Sequence, residues 1–178
     1  MKRLIALLAV LLLAVMPAAA EDAAGFSPYD YHILYTANGH YIVYEFPDIM
    51  LHLPIEWEDR ITVVQTDKGA SFYQTASYEK TLEQGLAGGG FLFQLRACAD
   101  ESCRELPAYE YLGYSSNAGL HFFLLLPSDY PAYTDDAAIK AEYDEMSSRI
   151  GHVVEMAKIH ASMIFYTDGI ESTDAGKS

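Results

Sequence analysis

Basic residues are scarce in this chain. Only 11 Lys and Arg stand against 25 Asp and Glu in 178 residues, which gives a net charge of −14. A surface this acidic repels the phosphate backbone of nucleic acids and the headgroups of anionic membranes. The composition therefore argues against nucleic acid as a partner and indicates a well-solvated acidic protein.

Long apolar runs are equally scarce, and the single clear one lies at the N-terminus. Lys2 and Arg3 precede an apolar stretch over 5–16, and the small residues 18–20 are followed by acidic ones. This order is typical of a secretory signal peptide, and the stretch is shorter than the roughly 20 residues of a membrane span. The sequence predicts a signal peptide over 1–20, an exported (secreted or periplasmic) mature protein, and no membrane span after cleavage.

The chain has two cysteines, Cys98 and Cys103, and this number limits their chemistry. A structural zinc site needs four ligands, and no second cysteine pair exists to complete one. Redox pairs usually have Cys-X-X-Cys spacing at the start of a helix, which differs from this spacing. In an exported protein an even cysteine count favours a disulfide. We expect a structural Cys98–Cys103 disulfide, with free thiols and a metal or redox role as alternatives.

Recognisable catalytic motifs are also missing. The glycine cluster 88–90 follows a predicted helix and opens a predicted strand, whereas a phosphate-binding loop follows a strand and opens a helix. No Gly-X-Ser-X-Gly nucleophile turn occurs. The cluster is best interpreted as a connection that needs positive φ or close backbone approach. No catalytic residue and no cofactor is predicted.

Alternating apolar residues and turn signals are abundant in the first two thirds of the chain. β-Rich runs flank Asn38-Gly39, and the runs 61–67 and 70–76 flank Lys68-Gly69, so two hairpins are predicted. A short helix follows, capped by Ser77 and ended by Gly85. Further strands are predicted over MLHLP, FLFQLRA, YEYLGYS and LHFFLLL, with FLFQLRA as a central core strand.

After residue 134 the pattern changes to a helical period. Apolar residues recur at steps of three and four, with Thr134 as a plausible N-cap and Gly151 as a possible bend. The predicted fold is α+β: an antiparallel β-sheet with a short mid-chain helix and a long C-terminal amphipathic helix packed on it. The predicted domain spans 29–166, between a flexible leader (21–28) and a disordered tail (167–178).

The order of these elements resembles a group of exported bacterial proteins of uncharacterised function. The features that carry the resemblance are the strand with its proline and tryptophan (MLHLPIEW), the hairpin and helix (ITVVQTDKGASFYQTASYEKTL), and the glycine-led strand (GGFLFQL). More distantly, the chain is similar to the PsbP-like α-β-α sandwich. The resemblance covers about residues 40–165 and implies a binding or accessory role, with no functional residues.

Aromatic residues are the first candidate site. The chain has 14 tyrosines and one tryptophan, and some of them could line a groove for a glycan or peptide. Half-buried tyrosines that cover a sheet face are the alternative explanation. The candidate ligand-binding residues are Trp57, Tyr109, Tyr111, Tyr130 and Tyr133.

A second candidate site lies on the C-terminal helix. His152, Met156 and His160 are four residues apart and share one helix face, where sulfur and imidazole could bind copper. We therefore expect an exported, non-enzymatic binding or accessory domain whose partner is an envelope or extracellular protein, peptide or glycan. A copper- or zinc-binding accessory protein and a hydrolase of unrecognised type are the alternatives.

Overall fold

A computed structural model describes residues 31–168, except residues 38, 47 and 67. The predicted signal peptide, the leader and residues 169–178 of the predicted tail lie outside the described residues. The last helix continues to Asp168, two residues beyond the predicted end of the domain.

Eight strands and three α-helices make up this part of the chain, together with two short 3₁₀ turns at Ile55–Trp57 and Glu101–Glu105. The strands are β1 Tyr31–Thr36, β2 Gly39–Phe46, β3 Ile49–Pro54, β4 Ile61–Thr66, β5 Gly69–Gln74, β6 Phe91–Cys98, β7 Tyr109–Ser115 and β8 Leu120–Leu125; the helices are α1 Thr75–Glu83, α2 Ala137–Ser148 and α3 Ile150–Asp168.

Every strand pairing among the described residues is antiparallel, so the predicted α+β class is confirmed. The strands are divided between two sheets, in the orders β1-β2-β3 and β4-β5-β6-β8-β7, rather than forming one. Pro54 ends β3, and Asp59 in the following turn has a positive φ of 61°, so the chain leaves the first sheet there. As predicted, β6 is the central strand of the larger sheet.

One core joins the two sheets and the C-terminal helices. Tyr44 of the small sheet meets Phe72 of the large sheet edge-on, with ring centroids 5.4 Å apart. Helix α3 contacts both β3 and β7, and its Val153 and Ala157 are fully buried. The opposite face of the large sheet holds a smaller cluster around Phe123 and the two cysteines.

The two predicted N-caps are wrong, whereas the predicted end of α1 is confirmed, because Gly85 directly follows the C-cap and has a left-handed φ of 74°. Helix α1 is capped by Gln74, whose side-chain oxygen accepts a hydrogen bond from the Ser77 backbone N–H at 3.2 Å. Ser77 lies inside the helix, and its hydroxyl accepts from the Tyr133 backbone N–H at 3.0 Å. Helix α2 is capped by Asp136 rather than Thr134.

The predicted long helix is divided at Arg149, which is the C-cap of α2 and immediately precedes α3. Gly151, where a bend was predicted, lies two residues beyond this break. The single apolar stripe in the sequence therefore corresponds to two consecutive helices that cover the same core.

The glycine cluster serves the architecture. Gly90 has a φ of +74°, and a Cβ placed there would lie 2.6 Å from the Gln74 carbonyl oxygen and 2.8 Å from the Ser77 Cβ. Its own N–H donates to the Pro131 carbonyl at 2.7 Å. The structure thus supports the interpretation of 88–90 as a connection with close backbone approach.

We expect Gly90→Ala to lower the free energy of unfolding by about 2 to 4 kcal/mol, because the new Cβ meets backbone and the left-handed φ disfavours alanine. Gly151→Ala is the matched control, since a Cβ at Gly151 meets no atom within 4 Å. There alanine should be neutral or stabilise the helix by up to about 1 kcal/mol. Urea unfolding measures the free energy of unfolding of both variants, and an equal change in the two would contradict the packing argument.

The cysteines lie at disulfide distance, with Cα atoms 6.4 Å apart, and both are buried against Phe123. We expect no thiol to titrate in the denatured, unreduced protein and two to titrate after reduction. Replacing both cysteines by alanine should lower the free energy of unfolding by about 2 kcal/mol, as expected for closure of so short a loop. Two reactive thiols before reduction would contradict the pairing.

Candidate functional site

A groove of about 390 Å³ lies where the small sheet meets the junction of α2 and α3. It is lined by Gly39, His40, Tyr41, Pro54, Ile55, Glu56, Arg149 and His152. These residues come from the start of β2, from the end of β3 with the turn after it, and from the helix junction. The groove therefore depends on the end of β3 at Pro54 and on the break between α2 and α3 at Arg149.

Two aromatic rings form one part of the groove lining. The ring centroids of Tyr41 and His152 are 6.4 Å apart, and their planes are tilted by 32°. Tyr41 also meets His52 edge-on, at 6.0 Å between centroids. Pro54 and Ile55 add apolar surface beside the rings. This part of the groove is suited to the flat, apolar face of a ligand.

Two charged residues of the groove lining, Glu56 and Arg149, belong to an ion-pair network that continues beyond the groove. The Arg149 guanidinium lies 3.2 Å from a Glu56 carboxylate oxygen and 3.0 Å from one of Glu145. Glu145 also pairs with Arg60 at 3.1 Å, and Arg60 approaches Glu142 at 3.4 Å. A hydrogen bond from its own backbone N–H and the neighbouring Arg149 lower the pKa of Glu56. The network presents both donors and acceptors without a net positive charge.

The aromatic residues singled out from the sequence lie in separate places. Trp57 is fully buried in the core, so its ring does not line a groove, contrary to the prediction. A large aromatic ring can either stabilise a core or form part of a binding surface, and the sequence around Trp57 does not distinguish these two roles.

Tyr109 and Tyr111 lie on β7, on the face of the large sheet opposite the main core. Their rings pack on Phe123 at 5.6 and 5.1 Å between centroids. The Tyr111 hydroxyl is hydrogen-bonded to the Nδ1 of His121 at 3.1 Å. These contacts match the alternative in which strand tyrosines cover a sheet face.

Tyr130 and Tyr133 lie in the connection between β8 and α2. The half-exposed Tyr130 donates a hydrogen bond to Asp144, which raises the pKa of the Tyr130 hydroxyl. The Tyr133 hydroxyl accepts a hydrogen bond from the Gln84 side chain at 3.4 Å. Both rings thus attach the connection to neighbouring helices, and neither lines the groove.

His152 and His160 both face the small sheet from α3, and Met156 lies between them at the predicted four-residue spacing. His152 lines the groove, whereas His160 lies against β3, with its ring centroid 5.7 Å from that of His52. The Nδ1 of His160 accepts a long hydrogen bond of 3.5 Å from the Met50 backbone N–H. No group of three or more His, Cys, Asp or Glu among the described residues is placed to bind a metal ion.

Sequence reasoning missed His52 and Tyr41. In β3 the leucines at 51 and 53 point into the core, so His52 between them faces the other side of the sheet. That alternation was visible in MLHLP, but the partner on α3 was not. Burial, together with the positive charge that His160 and His32 would carry, lowers the pKa of His52, and burial lowers the pKa of His160.

Comparison with known protein families, curated proteins and solved structures found no match to this chain. In the described part of the chain, no helix is both long enough and apolar enough to cross a membrane.

We expect the protein to lose stability as the pH falls below about 6.5, the ordinary histidine pKa. The pKa values of His52 and His160 are lowered in the folded state, so the unfolded chain takes up protons first. Their contribution to stability is complete above this pH and declines below it. Among the described residues, the titratable groups near His52 are Tyr41, His32 and His160, and the one near His160 is His52.

Urea unfolding at pH 7.5 and 5.5 measures this effect. The variant with both His52→Gln and His160→Gln should show a smaller decline than the parent, while His40→Gln, at an exposed position, should decline like the parent. The carboxyl groups of Glu56 and Asp144 also have lowered pKa values, but their contribution to stability changes only at a pH below the two compared. An identical decline in all three proteins would contradict the assignment to His52 and His160.

Proposed function

We propose that the protein is an exported, non-enzymatic binding or accessory domain that binds a glycan or peptide of an envelope or extracellular partner in the groove described above. The observation that carries the proposal is the lining of the groove, which encloses about 390 Å³. It combines two rings, Tyr41 and His152, with the Arg149–Glu56 ion pair. Binding sites typically combine apolar and aromatic lining with a few convergent polar groups.

Export is part of the proposal and rests on the signal-like N-terminus, with the paired cysteines weakly compatible with it. The resemblance to PsbP-like domains is a further part, because that family implies accessory roles more than catalysis. Among the described residues, the groove lining includes one acid and two histidines but no Ser, Thr or Cys side chain. Since Arg149 already engages Glu56, we do not propose a hydrolase.

Metal binding is the second candidate, and the His52–His160 contact is the observation that favours it. The Nδ1 of His52 is buried and has no hydrogen-bond partner in the part of the chain that the structure describes, so its lone pair or proton is available. Two imidazoles need at least one more ligand for a stable copper or zinc site, and Met156 or Met50 would have to provide it. Calorimetric titration with copper and zinc tests this candidate, and the absence of uptake would rule it out.

The groove is tested by applying the purified protein, without residues 1–20, to a glycan array and to a peptide array. The assay is then repeated with variants. We expect Tyr41→Ala to weaken the binding of any hit at least tenfold, because it removes the ring against which the ligand packs. Tyr114→Ala is the matched control, since Tyr114 is an exposed tyrosine of the large sheet, 45% accessible. Loss of binding in the Tyr114 variant alone would instead assign the site to the outer face of that sheet.

A further inference from the structure

We infer that the ligand of the groove is a neutral sugar, rather than a peptide or a charged saccharide. The inference rests on the proposed function, because it assigns a chemical class to the ligand of the same groove. Three features carry it: the geometry of the two rings, the charge balance of the ion pairs and the state of the strand edges.

The two rings are too close together to hold a ligand between them. A flat molecule between two parallel aromatic faces makes a van der Waals contact with each, which requires a separation of about 7 to 8 Å. The centroids of Tyr41 and His152 are only 6.4 Å apart. A ligand therefore lies across the exposed surface of the rings. The C–H face of a sugar ring suits this contact, because it is apolar and complements the negative face of an aromatic ring.

The charges at the groove favour a neutral ligand. Arg149 is contacted by Glu56 and Glu145, so an anionic ligand would have to displace a carboxylate that is already bound. It would also approach a chain with a net charge of −14. A cationic ligand would be attracted by the net charge of the chain, but it would have to compete with the Arg149 guanidinium for the Glu56 carboxylate. Sugar hydroxyls both donate and accept, so they can bond to the carboxylate and to the guanidinium while the ion pair stays intact.

The strand edges at the groove disfavour a peptide. Extended peptides are usually bound by hydrogen bonds to an open strand edge. Of the β2 residues of the groove, Tyr41 is paired on both sides, with Leu34 of β1 and Pro54 of β3, whereas Gly39 and His40 pair with β1 alone. On β3, the groove residue is Pro54, which has no N–H to donate. Among the described residues, the open edge of β2 at the groove is therefore only two residues long, which is too short to add an extended peptide as a strand.

The experiment is saturation-transfer NMR and calorimetry on the exported protein. The probes are neutral hexose and N-acetylhexosamine disaccharides, matched disaccharides that contain a uronic acid, and short uncharged peptides. We expect the neutral disaccharides to bind, and the uronic acid forms to bind at least tenfold more weakly. Tyr41→Ala should abolish the transfer signal, and Tyr41→Phe should retain it, since stacking requires the ring and not the hydroxyl.

The outcomes separate this inference from the proposed function. Binding of the peptides or of the uronic acid forms in the groove, without the neutral sugars, would overturn the inference and leave the proposed function standing. Neutral sugar binding that survives Tyr41→Ala but is lost in Tyr114→Ala would overturn both. So would the failure of every probe to bind. Thermal unfolding of each variant verifies that a lost signal reflects the removed contact and not a loss of folding.

Discussion

The structure depends on the packing of one helix, α3, against both sheets. It contacts β3, an edge of the small sheet, and β7, an edge of the large one, so it closes a core that would otherwise be open along one side. Small residues allow the close approach: Ala157 and Ala161 are fully buried, one helical turn apart, next to Val153. Both candidate sites, the groove and the His52–His160 contact, lie along the side of α3 that meets the small sheet.

The break at Arg149 explains why the groove has polar groups at all. The Arg149–Glu145 contact is an i,i+4 pair that a continuous helix would also form, whereas the contact of Arg149 with Glu56, in the turn after β3, depends on the position of the junction. Ion pairs as exposed as these typically contribute less than about 1 kcal/mol each to stability. Their main effect is therefore positional: they fix the orientation of donors and acceptors beside Tyr41.

Much of the local structure could be predicted because it depends on residues close together in sequence. The two hairpins follow from turn residues between alternating runs, the position of β6 follows from its apolar pattern, and the glycine connection follows from the order of helix and strand. The division into two sheets could not be predicted, because strand pairing is a long-range choice. The N-cap of α1 was predicted wrongly for a similar reason: the Ser77 hydroxyl bonds to Tyr133, 56 residues away.

The candidate site was predicted only in part, and helix geometry explains why. His152 and His160 share a helix face, but eight residues at 1.5 Å each place them about 12 Å apart along the axis. At this distance the two histidines acquire different neighbours, Tyr41 at one end and His52 at the other. Tyr41 contacts His52 as well, so four rings form a continuous row from the groove to the half-buried histidine pair. Because Tyr41 belongs to both contacts, the ring on which we propose the sugar packs is also part of the immediate surroundings of His52.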